Sequence, residues 1–231
     1  MPALLNIAGL LGVVLYIGSY AALQFGLVRG NGFTYATANL LAAALVLVSL
    51  VGAFNLSSAI IQTVWIVISL TGILRMVILE RTTRLTPEEQ AFIASKFPGM
   101  ARPAARRFLD AGGWFEAAAG TDLATEGQSL GALIYLAQGE ADVSLRGRRI
   151  GACGPGNFIG EMTCFSGGEA TATIGLLTPA RYFMIRSEAL QKLCQRDAEL
   201  RHAIEHAVAG DTRTKLVAAN AQLHDTAMPG S

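Results

Sequence analysis

The distribution of charge along this chain limits its fold more than any motif does. Arg29 is the only charged side chain before Arg75, whereas beyond it acids and bases occur at the frequency of an ordinary water-soluble domain. So long an uncharged stretch cannot furnish a water-exposed surface, and the boundary near residue 75 reads as a change of solvent. Three apolar runs lie within it: Leu4 to Leu27, broken by Asn6, Ser19, Tyr20 and Gln24; Thr34 to Phe54, rich in alanine; and Ala59 to Leu79. Each has about the 20 residues needed to cross a hydrocarbon core, and Arg75 lies near enough to the end of the third to snorkel toward the headgroups. The expectation is three transmembrane helices in residues 1–80.

A cleaved signal peptide is the alternative for the first run, with Ser19-Tyr20-Ala21 as its small-residue site. No basic segment precedes that run and two further spans follow it, so an anchor is expected. Orientation follows from the basic residues near the helix ends. The first loop carries Arg29 and the second, around Asn55-Leu56-Ser57-Ser58, carries no charge. From Arg75 to Arg107 there are seven basic residues against Glu80, Glu88 and Glu89. Both basic regions fall on one side if the N-terminus is outside and the C-terminal part cytoplasmic, as in a plasma or inner membrane protein. Asn6, Gln24, Asn39 and Gln62 are polar without being ionisable, and Ala36, Ala38, Ala42, Ala43 and Ala44 permit close helix packing. That composition fits an anchor, able to self-associate, better than a pore.

The connector, 81–107, holds a clear helix start: Thr86 as cap, Pro87 in the first helical position, Glu88 and Glu89 at the positive end of the dipole. Phe92, Ile93 and Phe97 give that helix an apolar side. Arg102, Arg106 and Arg107 lie on a second short helix; with no aromatic stacking pattern beside them, they read as a membrane-surface feature rather than a nucleic-acid site. The three cysteines, Cys153, Cys164 and Cys194, match no zinc or redox spacing and are expected to be reduced thiols.

From Trp114 the texture becomes β, with short runs punctuated by glycines. Leu133 to Leu136, Asp142 to Leu145 and Arg148 to Ala152 read as strands, and Arg146-Gly147 and Gly154-Pro155-Gly156 as turns. Strands so short and so spaced indicate a small antiparallel sandwich or barrel. Helices resume at Ser187 and again along the apolar face of Leu200, Ala203, Ile204, Ala207 and Val208, which suits packing on the β-structure or on a second copy. Residues 219–231 read as a flexible tail.

Glu126-Gly127, the run Leu133 to Gly139, Val143, Gly147, Pro155-Gly156-Asn157-Phe158-Ile159-Gly160-Glu161 and Ala172-Thr173-Ile174 together resemble the cyclic-nucleotide-binding domain of catabolite activator protein and of protein kinase A regulatory subunits. The resemblance covers about residues 108–216, within a domain expected at 108–218. Three membrane helices ahead of such a domain also resemble the layout of Popeye-domain proteins. The resemblance implies an antiparallel β-roll with flanking helices, an α+β cytoplasmic domain, and a phosphate-binding cassette between two strands. Phe158, Ile159, Gly160, Glu161, Met162, Thr171, Ala172 and Thr173 are its implied ligand-binding residues. Glu161 takes the role of acceptor for the ribose 2′-hydroxyl, the amides near Gly160 and Met162 face the cyclic phosphate, and Ala172 and Thr173 match the small and hydroxyl residues that follow.

One position departs from the family pattern. An arginine is expected two residues before that alanine to pair with the phosphate, and Ala170 stands there, preceded by Glu169. A charge-assisted hydrogen bond of that kind is worth about 1.5 to 3 kcal/mol, or roughly one to two orders of magnitude in affinity. Arg181, on the next strand, is the candidate replacement.

His202-Ala203-Ile204-Glu205-His206 fits an inverted zinc-peptidase pattern, but no second acidic motif supplies a further ligand, and two surface histidines are expected. Cys164 has no histidine near it in sequence. The chain is therefore expected to be neither an enzyme nor a cofactor protein. The leading expectation is a membrane-anchored sensor of cyclic AMP or cyclic GMP that signals through adjoining helices. The alternative is a membrane adaptor whose ligand-free β-roll binds protein. Expected partners are the lipid bilayer, the nucleotide, and a second copy met through the membrane helices or the 199–217 helix, with no nucleic acid.

Overall fold

The computed structural model describes the backbone over residues 2–30 and 32–227, and side chains as far as residue 217. The chain forms two compact units, Met1–Thr82 and Thr83–Ser231.

The first unit is three helices, α1 (Pro2–Gln24), α2 (Phe33–Ser49) and α3 (Leu56–Thr82). α1 and α3 are long and apolar enough to cross a membrane, while α2, at 17 residues, is shorter. The run expected to continue to Phe54 stops being helical at Ser49, and Leu50–Asn55 turns the chain. Asn55 then accepts the Ser58 amide at 2.9 Å, so Leu56, Ser57 and Ser58 form the first turn of α3 rather than a loop. The buried residues of these helices are Gly12, Asn39, Ala42, Ala43, Gln62 and Ser69. Tyr16 donates to the Gln62 side-chain oxygen at 2.8 Å, and Asn39 donates to the Tyr35 carbonyl at 2.9 Å. The large apolar side chains, among them Leu4, Leu10, Ile17, Val51 and Leu74, lie outside.

The second unit begins with α4 (Pro87–Lys96) and α5 (Arg102–Asp110). Thr86 caps α4 in a reciprocal arrangement: its hydroxyl accepts the Glu89 amide at 3.2 Å while the Glu89 carboxylate accepts the Thr86 amide at 2.8 Å. The other Glu89 oxygen takes Arg106 at 2.8 Å, and Arg107 binds Asp197 at 2.6 Å. These two arginines of the basic cluster thus tie α5 into its own unit.

Eight antiparallel strands follow: β1 (Gly113–Ala117), β2 (Asp122–Ala124), β3 (Ala132–Gln138), β4 (Ala141–Leu145), β5 (Arg148–Cys153), β6 (Phe158–Ile159), β7 (Thr173–Leu176) and β8 (Ala180–Arg186). They make two four-stranded sheets, β1-β8-β3-β6 and β2-β7-β4-β5. Arg146 and Gly147, both at positive φ, close the β4–β5 hairpin. Then come α6 (Ser187–Arg196) and α7 (Ala198–Ala227), so the helix includes residues 219–227, read from the sequence as tail; 228–231 lie outside the described residues.

Alternation along β3 explains why its run is apolar throughout. Leu133 and Tyr135 face a core shared with the helices, whereas Ile134 and Leu136 face the interior between the sheets. β6 divides likewise, with Phe158 toward the helices and Ile159 toward the interior. In the helical core the Phe92 ring stacks on Tyr135 at 3.9 Å and meets Phe97, Phe108, Trp114 and Phe183 at 5.3–6.0 Å. Leu200, Ile204, Ala207 and Val208 are buried in the same core, so the apolar face of α7 packs within its own unit.

Candidate functional site

The segment from β6 to β7 wraps one end of the β-roll. Gly160 sits at φ +81°, and a Cβ there would fall 2.5 Å from the Ala132 carbonyl oxygen and 2.5 Å from Leu130. Only glycine lets the chain turn so close beneath β3. The next residues form turns closed by Cys164 N–H to Gly160 O at 2.9 Å and Gly167 N–H to Thr163 O at 2.9 Å. Gly167 and Gly168, both at positive φ, end the turns.

A cavity of about 340 Å³ opens beside this segment, within the range of small-molecule sites. Leu130, Val143, Ile150 and Ile174 form apolar parts of its wall; among the described residues Glu161 and Lys215 are the charged ones that line it. Burial pushes the Cys153 thiol, also in the wall, up to about 11, so it stays protonated at neutral pH.

Lys215 comes from α7. Its ammonium donates to Glu161 Oε1 at 2.7 Å, to Asp211 Oδ2 at 3.1 Å and to the Phe158 carbonyl, in close contact. Asp211 is buried; it accepts the Phe158 amide at 3.1 Å and pairs with Lys96 of α4 at 2.7 Å. A chain of alternating charge therefore runs Lys96, Asp211, Lys215, Glu161, from α4 across α7 to the cassette. Burial by itself would lower the Lys215 pKa, but the Glu161 and Asp211 carboxylates outweigh it and raise the pKa above the ordinary lysine value.

Of the residues implied by sequence, Ile159, Gly160, Glu161, Met162, Thr171 and Ala172 line the cavity. Phe158 and Thr173 do not. The Phe158 ring belongs to the helical core, although its backbone serves both Asp211 and Lys215; the Thr173 hydroxyl accepts the Glu126 amide at 3.0 Å. Ala170 lines the cavity where the arginine was expected. Arg181 does not replace it: its guanidinium grips Glu88 at 3.0 Å and Glu116 at 3.2 Å, away from the cavity. Glu169 is exposed and does not line the cavity; its backbone forms an isolated antiparallel bridge with Ser129. Sequence reading missed Lys215 and Asp211. The available signal was the stripe of α7, in which Leu200, Ile204 and Val208 continue at helical spacing into Asp211 and Lys215, placing two charges on a buried face.

Residues 114–197 match the family model described as the cyclic nucleotide-binding domain, and residues 5–81 match a second family model whose description assigns no function. A search of curated proteins found no match. Among solved structures, a cyclic nucleotide-binding domain from Methylobacillus flagellatus KT is similar at a TM-score of 0.55 and 18% identity, over 62% of this chain and 87% of that one. A protein of Geobacter metallireducens GS-15 named for cyclic nucleotide binding is similar at 0.51 and 14% identity, over 57% and 99%. These likenesses bear on the fold, and the family match covers the strands and cassette just described. Residues 114–197 therefore have the antiparallel β-roll fold of the cyclic nucleotide-binding domain.

Proposed function

We propose that this chain is a membrane-anchored regulatory protein, not an enzyme, whose β-roll pocket binds a cyclic purine nucleotide. The carrying observation is the 340 Å³ cavity, with the Glu161 carboxylate and the Gly160 turn on one side and an apolar wall beside them. Glu161 accepts the ribose hydroxyl, the amides around Gly160 and Met162 meet the phosphate, and Val143, Ile150 and Ile174 cover the base. Calorimetry of the full chain in detergent micelles tests this. Heat with cyclic AMP or cyclic GMP, weakened at least tenfold by Glu161→Ala, is expected; no heat and no thermal shift at millimolar nucleotide overturns the reading.

The anchor is the three-helix unit, in the order that resembles Popeye-domain proteins. Its support is an inside-out partition, with small and polar residues buried and large apolar ones exposed. Three crossings put the Arg29 loop and the basic segment after α3 on one side, the cytoplasm, with the N-terminus outside. At 1.5 Å per residue α2 spans roughly 26 Å, so the bilayer thins slightly around it. Self-association runs through these helices or through α7, where Leu216 and Val217 are exposed.

One observation favours the ligand-free adaptor as a second reading: Glu161 is already bonded to Lys215, and the cassette lacks its own arginine. The adaptor reading predicts that Glu161→Ala leaves recovery of a protein partner unchanged.

A further inference from the structure

The cassette turns its hydroxyl acceptor toward a cavity but carries no cation of its own. Position 170 is alanine, Arg181 is held by Glu88 and Glu116, and Lys215 is the one cation among the described lining residues. We propose that Lys215 is the anion-binding residue of this pocket, so that the positive charge facing the phosphate of the ligand comes from α7 and not from the cassette, whose amides contact the same group. The assignment rests on the nucleotide reading above and gives it the positive charge that reading lacks.

The geometry suits a ligand with a hydroxyl and a phosphate on adjacent carbons, as in a ribose 3′,5′-cyclic phosphate. Glu161 and Lys215 are in direct contact at 2.7 Å, so neighbouring groups on one small ring reach both: the hydroxyl donates to the carboxylate, and a phosphate oxygen accepts from the ammonium. The local charge count points the same way. Lys96, Asp211, Lys215 and Glu161 sum to zero; without Lys215 the remainder is net negative and repels an anion. The ammonium stays charged at neutral pH between its two carboxylates. Its present acceptors are Glu161, Asp211 and the Phe158 carbonyl, which occupy its three donors. A phosphate oxygen must displace one of them, and because Asp211 also holds the Phe158 amide, that exchange bears directly on how α7 sits against β6.

The test uses the full chain in detergent micelles, with cyclic AMP, adenosine and inorganic phosphate as probes. Lys215→Met is expected to weaken cyclic AMP binding at least tenfold, to shift adenosine binding less than twofold, and to abolish any competition by inorganic phosphate; Lys215→Arg restores most of the loss. Equal losses for cyclic AMP and adenosine mark a merely structural lysine and overturn the proposal, as does a cyclic AMP affinity unchanged in Lys215→Met. Phosphate binding that depends on Lys215, in a chain that binds no cyclic nucleotide, keeps the anion site and discards the nucleotide reading. A chain that binds neither overturns both. If Lys215→Met unfolds, Lys215→Met/Asp211→Asn, which leaves no orphan charge on α7, carries the same expectations.

Discussion

The two units of this chain bury opposite kinds of residue. The three-helix unit hides glycine, alanine, asparagine, glutamine and serine and displays leucine, isoleucine and valine; the β-roll unit hides a cluster of aromatic rings and displays most of its charges, Glu89 and Asp211 being buried exceptions. Both obey one rule, which is that each side chain faces the phase that solvates it best. In the β-roll the gain comes from removing apolar area from water, about 25 cal/mol per Å². If the three helices are the membrane anchor proposed above, it comes there from close packing and from bonds such as Tyr16 to Gln62, with nothing gained by hiding a leucine from lipid. Substitutions at similar side chains are therefore expected to have very different costs in the two units.

The largest contrast lies between Phe92 and Leu10. Phe92 is 1% exposed and touches six other aromatic rings, so Phe92→Ala is expected to destabilise the β-roll unit by about 3 to 5 kcal/mol. Leu10, in the first unit, is 67% exposed, and Leu10→Ala is expected to stay within about 0.5 kcal/mol. The two tryptophans separate the signals, since Trp65 lies in α3 and Trp114 in β1. Denaturation followed through Trp114 in a Trp65→Phe background reads the first cost, and Trp65 in a Trp114→Phe background reads the second. Comparable losses would break the comparison, because they would mean that Leu10 is buried against protein.

The sequence already showed this partition, because it is written in the local pattern of charge. The α4 cap was equally legible, since Thr86, Pro87 and Glu89 act within one turn, and so was the Gly160-Glu161 turn, where the backbone constraint is local. The long-range electrostatics was not. Glu161 meets Lys215 across 54 residues and Arg181 meets Glu88 across 93, and no periodicity encodes a contact between elements so far apart. Arg181 was the candidate pocket cation because it lies near the cassette in sequence; its side chain instead pairs with Glu88 and Glu116 and does not line the cavity. The end of α2 also escaped, because the apolar composition of residues 50–54 continues past the last helical residue.

A smaller effect sharpens the contrast through pH. All three cysteines lie in the second unit and are buried. Desolvation raises Cys153 from 9.0 to about 11, with Asp211 and Glu161 adding to the shift and Lys215 opposing it. The folded state thus holds the thiol proton more tightly than the unfolded chain does. Its contribution is complete below pH 9 and disappears as the pH climbs from 9 toward 11, a loss on the order of 3 kcal/mol for a shift of that size. Stability read through Trp114 is expected to fall over that range, and Cys153→Ala to flatten the fall. The Trp65 signal, from a unit without cysteine, is expected to show no change in slope on the same substitution. A slope that survives Cys153→Ala unaltered would assign the alkaline loss to other groups.

The smallest expected effect is a steric one within the three-helix unit. Gly12 and Gly18 stand on the same helix, but a Cβ at Gly12 would lie 2.6 Å from Val46 and 2.9 Å from the Ala42 carbonyl of α2, whereas a Cβ at Gly18 meets nothing within 4 Å. If small residues let α1 and α2 approach, Gly12→Val must push the helices apart, a cost of about 1 to 3 kcal/mol in line with overpacking elsewhere. Gly18→Val adds only a methyl-bearing side chain to an open surface and is expected to change little. Both are measured through Trp65 in micelles, by the denaturing detergent needed to lose helicity. Equal tolerance of the two would show that α1 and α2 are not closely packed at Gly12, and the first unit would then lack the small-residue interface that stands in it where the second has its aromatic core.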